Sequence, residues 1–401
     1  MRYPEVFVLG SARTPIGRFG GAFASLSAPE LGGPASIAAL ERAAVRPDEV
    51  DEVVFGHARQ AGNGPNPARQ VGRRAGLPDS VPAFTVNQAC ASSLQAILLG
   101  SDAIRLGRAE RVLVGGQEAM SRTPYFLERV RWGHRMGNGE VVDGMLRDGF
   151  YCPLSAQLMG ETAETLATEY GISRDRQDAF ALESQQRAAR AIAGGIFDEE
   201  IVPVRVPKGH AEILVEKDEH PRAGADLTSL GKLAPVFRED GTVTAGNSSG
   251  ITDGAAALVL GGEAEATEAR RRGISPWARI LDAVIVGVDP ARMGIGPVPA
   301  VRKLLARTGL SLSDFGLIEL NEAFAAQALA CGDELGLDFA RVNVNGGAIA
   351  LGHPIGATGA RICVTLLHAM RRRRERLGLA TLCVSGGMGV AVAFELLDRS
   401  A

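Results

Sequence analysis

Two thiols, one imidazole and one amide carry most of the chemistry this sequence offers. Cys90 closes FTVNQAC (84–90), where a strand-like run gives way to the helical spacing of ASSLQAILLGSDAIRLG. A thiol at a helix amino terminus faces unpaired N–H groups and the positive end of the dipole, which favour its thiolate. A lone cysteine reads equally well as a small buried hydrophobe. Cys383 ends a strand in TLCVSGGMG and, taken alone, reads as strand core. His353 stands in NGGAIALGHPIGATGAR (345–361), where five glycines surround one ring. Glycine lets backbone or ligand approach closely, and the spacing is neither GxGxxG nor GxxxxGK[ST], so a phosphate cradle has little support. Asn321, in NEAFAAQ, supplies an uncharged donor at another strand end, or a helix cap. A thiolate nucleophile needs a base or cation beside it, which histidine supplies. A second thiol moves protons where its surroundings lower its pKa.

These residues need a scaffold that gathers strand ends. EVFVLGSARTP, VDEVVFGHA (50–58), FTVNQAC and RVLVGGQEAM (111–120) read as strands, with helical spacing between the last two. Alternation of this kind predicts α/β layers with a largely parallel sheet. The order then recurs. LSLSDFGLIELNEA (310–323) lies against VRPDEVDEVVFGHA (45–58), RVNVNGGA (341–348) against AFTVNQAC (83–90), and TLCVSGGMG (381–389) against RVLVGGQEA. Three matches in one order predict an internal duplication, which sets equivalent strand ends face to face. Residues 121–248 interrupt it with RWGHRMGNGE, a polar helix around DRQDAFALESQQRAARA and the turn-rich VPKGHAEILVEKDEHPRAG, read as an insertion covering the site. RRRRER (371–376) reads as a solvated helix end, its cations beside the negative dipole terminus.

At 401 residues the chain is long enough for two or so core-forming units. A net charge of −3 excludes a global field for nucleic acid or an acidic membrane, so an anionic ligand must be met locally. The five cysteines include no CxxC pair, which argues against a disulfide framework or structural zinc and for reduced thiols in a cytosolic compartment. Cys152, Cys331 and Cys363 are read as core. No HxxxH or HxH pair appears among His57, His134, His210, His220 and His368, so no metal site is expected. There is no GxSxG elbow for a serine hydrolase, the amino-terminal apolar run is too short for a secretory signal, and no run of about 18 apolar residues suggests a membrane span.

NQACASSLQA, GGQEAMS, MGETAE, SQQRA, GTVTAGNSSGITDGAAA, GIGPVPA, NEAFAAQ, NGGAIALGHPIGATGARI and TLCVSGGMG, in that order from residue 87 to 389, together resemble the thiolase family. The resemblance implies the thiolase fold: two duplicated βαβαβαββ-type halves in α-β-α-β-α layers with an inserted loop domain. The halves would be 1–120 plus 249–272 and 273–401, with 121–248 inserted for CoA binding and oligomer contacts. It implies that Cys90 takes the acyl group, that His353 activates Cys90 and binds the thioester oxygen, that Cys383 removes a proton from the second acyl-CoA, and that Asn321 holds an oxyanion-hole water. Backbone N–H groups at Cys90 and Ser385 would form a second oxyanion hole. Arg222, Ser229 and Ser249 would meet the CoA nucleotide and pantetheine. Met159, Met293, Ala323 and Phe324 would line the acyl site, although either methionine alone reads as core filler. The glycines around His353 would let backbone and the pantetheine arm close in.

The implied reaction joins two acetyl-CoA molecules to acetoacetyl-CoA and CoA, or reverses it, with no metal or organic cofactor. RVRWGHRMGNGEVVDGMLRDG resembles the short-chain, tetramer-forming branch, which implies a cytoplasmic homotetramer built as a dimer of dimers. Leu158 departs from the histidine of many short-chain members, and Ser385 stands where glycine is common. The alternatives are a degradative 3-ketoacyl-CoA thiolase of broader chain length, a non-catalytic protein that binds acyl-CoA or lipid, and a decarboxylating condensing enzyme. Cys90, Asn321, His353 and Cys383 together argue against the binding protein, and Cys383 against the condensing enzyme.

Overall fold

Most apolar runs become strands buried along nearly their whole length, as sheets covered on both faces require, while Ala83–Val86 and Ala278–Gly287 are only partly buried. The computed structural model describes residues 4–397. In chain order the first half supplies β1 (Phe7–Arg13), α1 (Ala28–Ala43), β2 (Glu52–Gly56), β3 (Ala83–Val86), α2 (Ser92–Arg105) and β4 (Arg111–Ala119). A long excursion carries α3 (Met159–Glu169) and α4 (Arg174–Ala193) before the chain returns as β5 (Thr252–Gly261). The second half supplies β6 (Ala278–Gly287), α5 (Pro297–Thr308), β7 (Leu317–Leu320), α6 (Ala325–Leu335), α7 (Thr358–Arg373), β8 (Leu377–Val384) and β9 (Met388–Leu396).

The strands run in the order β7-β8-β9-β6-β1-β5-β4-β2-β3. In the first half β2 lies parallel to β3 and β4, and β5 is antiparallel to β4 and β1. In the second, β7 lies parallel to β8, and β9 is antiparallel to β8 and β6. Swapping β1, β2, β4 and β5 for β6, β7, β8 and β9 maps one set onto the other. The duplication therefore holds in three dimensions. The two sets touch edge to edge through a short ladder, Phe7 with Arg279 and Val8 with Ala278.

The layers follow from the packing. One apolar cluster holds α2 and α7 between the two strand sets. A second lies between α1 and the outer face of the first set, and a third between α5 and the outer face of the second. The order is thus helix, sheet, helix pair, sheet, helix. Central in this stack, α7 is buried without interruption from Thr358 to Met370, Arg361 and His368 included. Its approach to α2 depends on glycine, because a Cβ on Gly359 would lie 2.6 Å from the Leu94 nitrogen. The basic tail is not simply solvated: Arg371 stacks over Trp277 at 4.1 Å and Arg372 donates to the Ile196 carbonyl at 2.9 Å.

One expected strand is absent. RVNVNGGA contributes a single parallel bridge, Val342 to Ile318. Asn343 turns into the left-handed region at φ 47, and its side chain replaces the next ladder rung. Its Oδ1 accepts from Leu320 N–H at 2.9 Å, and its Nδ2 donates to the Leu320 carbonyl at 2.8 Å. Asparagine tolerates this conformation better than most residues. No helix among the described residues is long and apolar enough to cross a membrane.

Candidate active site

Strand β3 stops at Val86, and a tight turn, not a direct strand-to-helix junction, presents Cys90. Asn87 shapes that turn. Its Nδ2 donates to the Ala58 carbonyl at 3.2 Å and its Oδ1 accepts from Ala89 N–H at 2.9 Å, while Ala89 takes φ 47. Ser92 closes it by donating to the Ala89 carbonyl at 2.7 Å and accepting from Gln88 N–H at 2.9 Å. The backbone N–H groups of Cys90 and Ser385 favour the Cys90 thiolate. Desolvation nonetheless pushes this thiol up, outweighing those N–H groups and the Arg59 guanidinium. Desolvation thus works against the helix-terminus argument at this partly buried thiol.

His353 follows the helical turn Ala348–Leu351 and Gly352, whose φ is 103. Its N–H donates to the Gly250 carbonyl at 3.1 Å. Burial, with Arg361 and Arg59 nearby, pushes the ring down to about 3, so it is neutral at ordinary pH. The ring's Nδ1 lies 2.6 Å from the Thr358 hydroxyl, which itself donates to the Pro354 carbonyl at 2.9 Å. A hydroxyl has one proton, so Thr358 accepts from Nδ1–H and leaves the Nε2 lone pair free.

Asn321 leaves the end of β7 with its N–H on the Thr381 carbonyl at 3.0 Å. Its side-chain amide is buried and has no hydrogen-bond partner among the described residues. Such an amide is expensive unless it meets water or a ligand. Cys383 lies in β8 opposite Gly389 and is buried. Desolvation pushes its thiol well up, and the Cys90 sulfur adds to the shift.

An apolar cluster joins Cys383 to Met159, Met293, Ala323 and Phe324. It draws on both α3 of the excursion and the second half. Phe237 stands edge-on to Phe324 with ring centroids 6.1 Å apart. Cys152, read as core, is buried and belongs to this cluster. Cys331 and Cys363 are buried elsewhere, and desolvation pushes Cys331 up to about 12. Ser249 N–H donates to the Ala323 carbonyl at 3.0 Å, which places it beside the Asn321 segment. Arg222 and Ser229 lie on the exposed rim of the excursion. The Arg222 N–H reaches Gln185 Oε1 at 2.8 Å, and the Ser229 hydroxyl donates to the Asp226 carbonyl at 2.8 Å. Ser385 keeps a negative φ; the left-handed steps fall on Gly386 and Gly387.

The glycines around His353 serve the protein's own packing. A Cβ on Gly347 would lie 2.2 Å from the Glu322 carboxyl carbon, and one on Gly356 2.8 Å from the Ala58 nitrogen. Both carboxylates involved were missed in the sequence. Glu322 accepts from Ser184 at 2.7 Å, Asn343 at 2.8 Å and Ile349 N–H at 3.1 Å. Glu118, inside GGQEAMS, accepts from Ala58, Arg59 and Gly356 N–H groups at 3.2, 3.1 and 2.8 Å. Their burial and exact partners have no signature in one sequence. Among the described residues no group of histidine, cysteine and carboxylate side chains could hold a metal ion.

The comparisons with known proteins agree across the chain. Residues 6–264 match the model for the thiolase N-terminal domain, and residues 274–396 that for the thiolase C-terminal domain. The chain belongs to the thiolase family. This thiolase is 52% identical to an acetyl-CoA acetyltransferase of Pseudomonas aeruginosa over 97% of its length and 98% of the relative's. It is also 52% identical to an acetyl-CoA acetyltransferase of Escherichia coli over 98% of its length and 99% of the relative's. The crystal structure of a Bacillus anthracis acetyl-CoA acetyltransferase superposes with TM-score 0.96 at 47% identity, covering 98% of this thiolase and 99% of that chain. A human mitochondrial 3-ketoacyl-CoA thiolase superposes with TM-score 0.94 at 41% identity, covering 98% and 99%.

Proposed function

We propose that this thiolase is an acetyl-CoA C-acetyltransferase that condenses two acetyl-CoA molecules to acetoacetyl-CoA and CoA, or runs the reverse thiolysis, through an acyl-cysteine on Cys90. The observation that carries the reading is the closeness of the Cys90 turn, from the first half, to the Cys383 strand, from the second, in a chain about half identical to acetyl-CoA acetyltransferases. His353 Nε2 takes the proton of Cys90, and the thiolate attacks the thioester carbon. CoA leaves and takes the proton of Cys383. The resulting Cys383 thiolate removes the α-proton of the second acetyl-CoA, whose carbanion attacks the acyl group. Cys90 departs as thiolate and recovers its proton from His353. Every group ends as it began. Burial suits this sequence, since a thiol held neutral at rest is an acid first and a strong base afterwards.

Asn321, through a water, and His353 would stabilise one developing oxyanion, and the N–H groups of Cys90 and Ser385 the other. Removing one such donor typically slows the reaction about a hundred- to a thousandfold. CoA enters along the excursion, with Arg222 and Ser229 at the nucleotide end, Ser249 nearer the thioester, and Met159, Met293, Ala323 and Phe324 around the acyl group. CoA is substrate and product, and the scheme uses no cofactor. The tetramer is supported by an exposed apolar arm, with Tyr125 65%, Trp132 86% and Met136 91% exposed. Large apolar side chains left exposed along one segment are a common feature of interaction sites.

The likeness to a 3-ketoacyl-CoA thiolase supports a second reading, with longer chains. Against it, Met159, Met293, Phe324 and Phe237 fill the space next to Cys383. Thiolysis of 3-ketoacyl-CoA substrates of increasing length separates the two. The short-chain reading expects kcat/KM to fall steadily from acetoacetyl-CoA; a rise would sink it.

The tautomer argument yields a sharper expectation. Thr358→Val keeps the shape but removes the acceptor for Nδ1–H. Acylation should slow by roughly a hundredfold, the scale of a misoriented catalytic group, and Thr358→Ser should restore it. Single-turnover acylation followed by mass measures both, and an undiminished Val variant would refute the assigned tautomer.

A further inference from the structure

We infer that Glu118 is a positioning residue that holds the Cys90 turn and the His353 loop in one frame; the assignment rests on the acyl-cysteine reading above. Glu118 is the penultimate residue of β4 and is fully buried. Nothing in the proposed reaction requires it to touch substrate. Its two oxygens instead receive N–H groups from two separate segments. Oε2 accepts from Gly356 at 2.8 Å and from Ala58 at 3.2 Å, and Oε1 accepts from Arg59 at 3.1 Å. His57 Nε2 lies 3.2 Å from Oε1.

Each segment leads to one reacting group. On one side the Ala58 carbonyl accepts from Asn87 Nδ2 at 3.2 Å, and Asn87 Oδ1 accepts from Ala89 N–H at 2.9 Å. Ala89 holds its left-handed φ of 47 immediately before Cys90. On the other side Gly356 lies between His353 and Thr358, the residue that orients the ring. The loop sits so close that a Cβ on Gly356 would be 2.9 Å from Glu118 Oε2. A second tie, Ala360 N–H to Ser93 Oγ at 2.8 Å, joins the same two segments farther from the ring.

A carboxylate suits this place because it only accepts, at about four lone-pair sites. An amide would turn a donor toward one set of N–H groups. Burial pushes the Glu118 carboxyl up, but His57, Arg59 and the Gly356 N–H outweigh it and hold the group below the usual range. It is therefore an ionised acceptor when the site works. The CoA contacts proposed above lie on the excursion and the Asn321 segment, so loosening this clamp should alter the chemical step more than binding.

The test is single-turnover acylation by acetyl-CoA, read by intact-protein mass over a range of substrate concentrations. The proteins are wild type, Glu118→Gln and Asn87→Ala, each checked by circular dichroism and thermal unfolding. The full frame is cut by the first variant and only the Cys90 arm by the second. The maximal acylation rate should fall roughly a hundredfold in Glu118→Gln and about tenfold in Asn87→Ala, with half-saturation kept within about threefold. A Glu118→Gln rate within about threefold of wild type, or a loss confined to half-saturation, overturns the assignment. Should Glu118→Gln not fold, Asn87→Ala decides, and an undiminished rate there overturns it. A wild type that takes no acetyl group would instead overturn the acyl-cysteine reading, and this assignment with it.

Discussion

Cys383→Ala should accumulate acetyl-enzyme and fail to condense it. The variant removes a buried thiol whose proton is held tightly by desolvation and by the Cys90 sulfur. Acylation of Cys90 survives, because CoA can leave as a thiolate without a proton donor. Removal of the α-proton does not, because a thioester is a poor carbon acid, His353 in the proposed scheme already carries the Cys90 proton at that stage, and the Asn321 amide does not titrate. Condensation should fall by roughly a hundred- to ten-thousandfold, the usual contribution of one general acid–base group. The void is small and lies in an apolar cluster with Met159 and Met293, so the fold should persist. The check is paired: acetoacetyl-CoA formation by absorbance, and acyl-enzyme by mass. Loss of acylation together with condensation would contradict the division of labour.

Cys90→Ala should lose both steps. No acyl group is held, so the reaction would have to proceed between two bound thioesters without covalent transfer. Removing the nucleophile of an acyl-transfer enzyme typically costs on the order of a millionfold in kcat. The substitution deletes one sulfur from a turn fixed by Asn87 and Ser92, not by Cys90 itself, so CoA binding should be retained. Thiolysis rate and CoA affinity, measured side by side, check this. A variant with wild-type turnover would remove Cys90 from the mechanism.

Much of this arrangement was legible in the sequence, for physical reasons. Strands covered on both faces show as apolar runs, and a duplicated fold shows as runs in a repeated order. That is why VDEVVFGHA and RVLVGGQEAM found partner strands in the second half, while FTVNQAC did not. The exception is instructive. RVNVNGGA resembles AFTVNQAC in letters, yet Asn343 turns left-handed and makes with its side chain the bonds a strand would make with backbone. The chemical types at positions 90, 321, 353 and 383 were also visible. Their environment was not. A cysteine at the head of a helix suggests a lowered pKa, but burial reverses the direction at Cys90. The glycines near His353 suggested room for a ligand, whereas Gly347 and Gly356 make room for protein groups, among them the Glu322 carboxylate and the Ala58 nitrogen. Glu118 and Thr358 stand inside conspicuous motifs, but Glu118's partners lie on distant segments, which spacing along one chain does not encode, and Thr358 meets His353 only through the shape of the local turn.

The central claim is covalent transfer through Cys90, and intact-protein mass after mixing with acetyl-CoA tests it most directly. The account predicts one added acetyl group per chain on wild type, located to Cys90 by peptide mapping, retained in Cys383→Ala and absent from Cys90→Ala. No adduct on wild type despite measurable CoA binding, or an adduct that persists in Cys90→Ala, would contradict it.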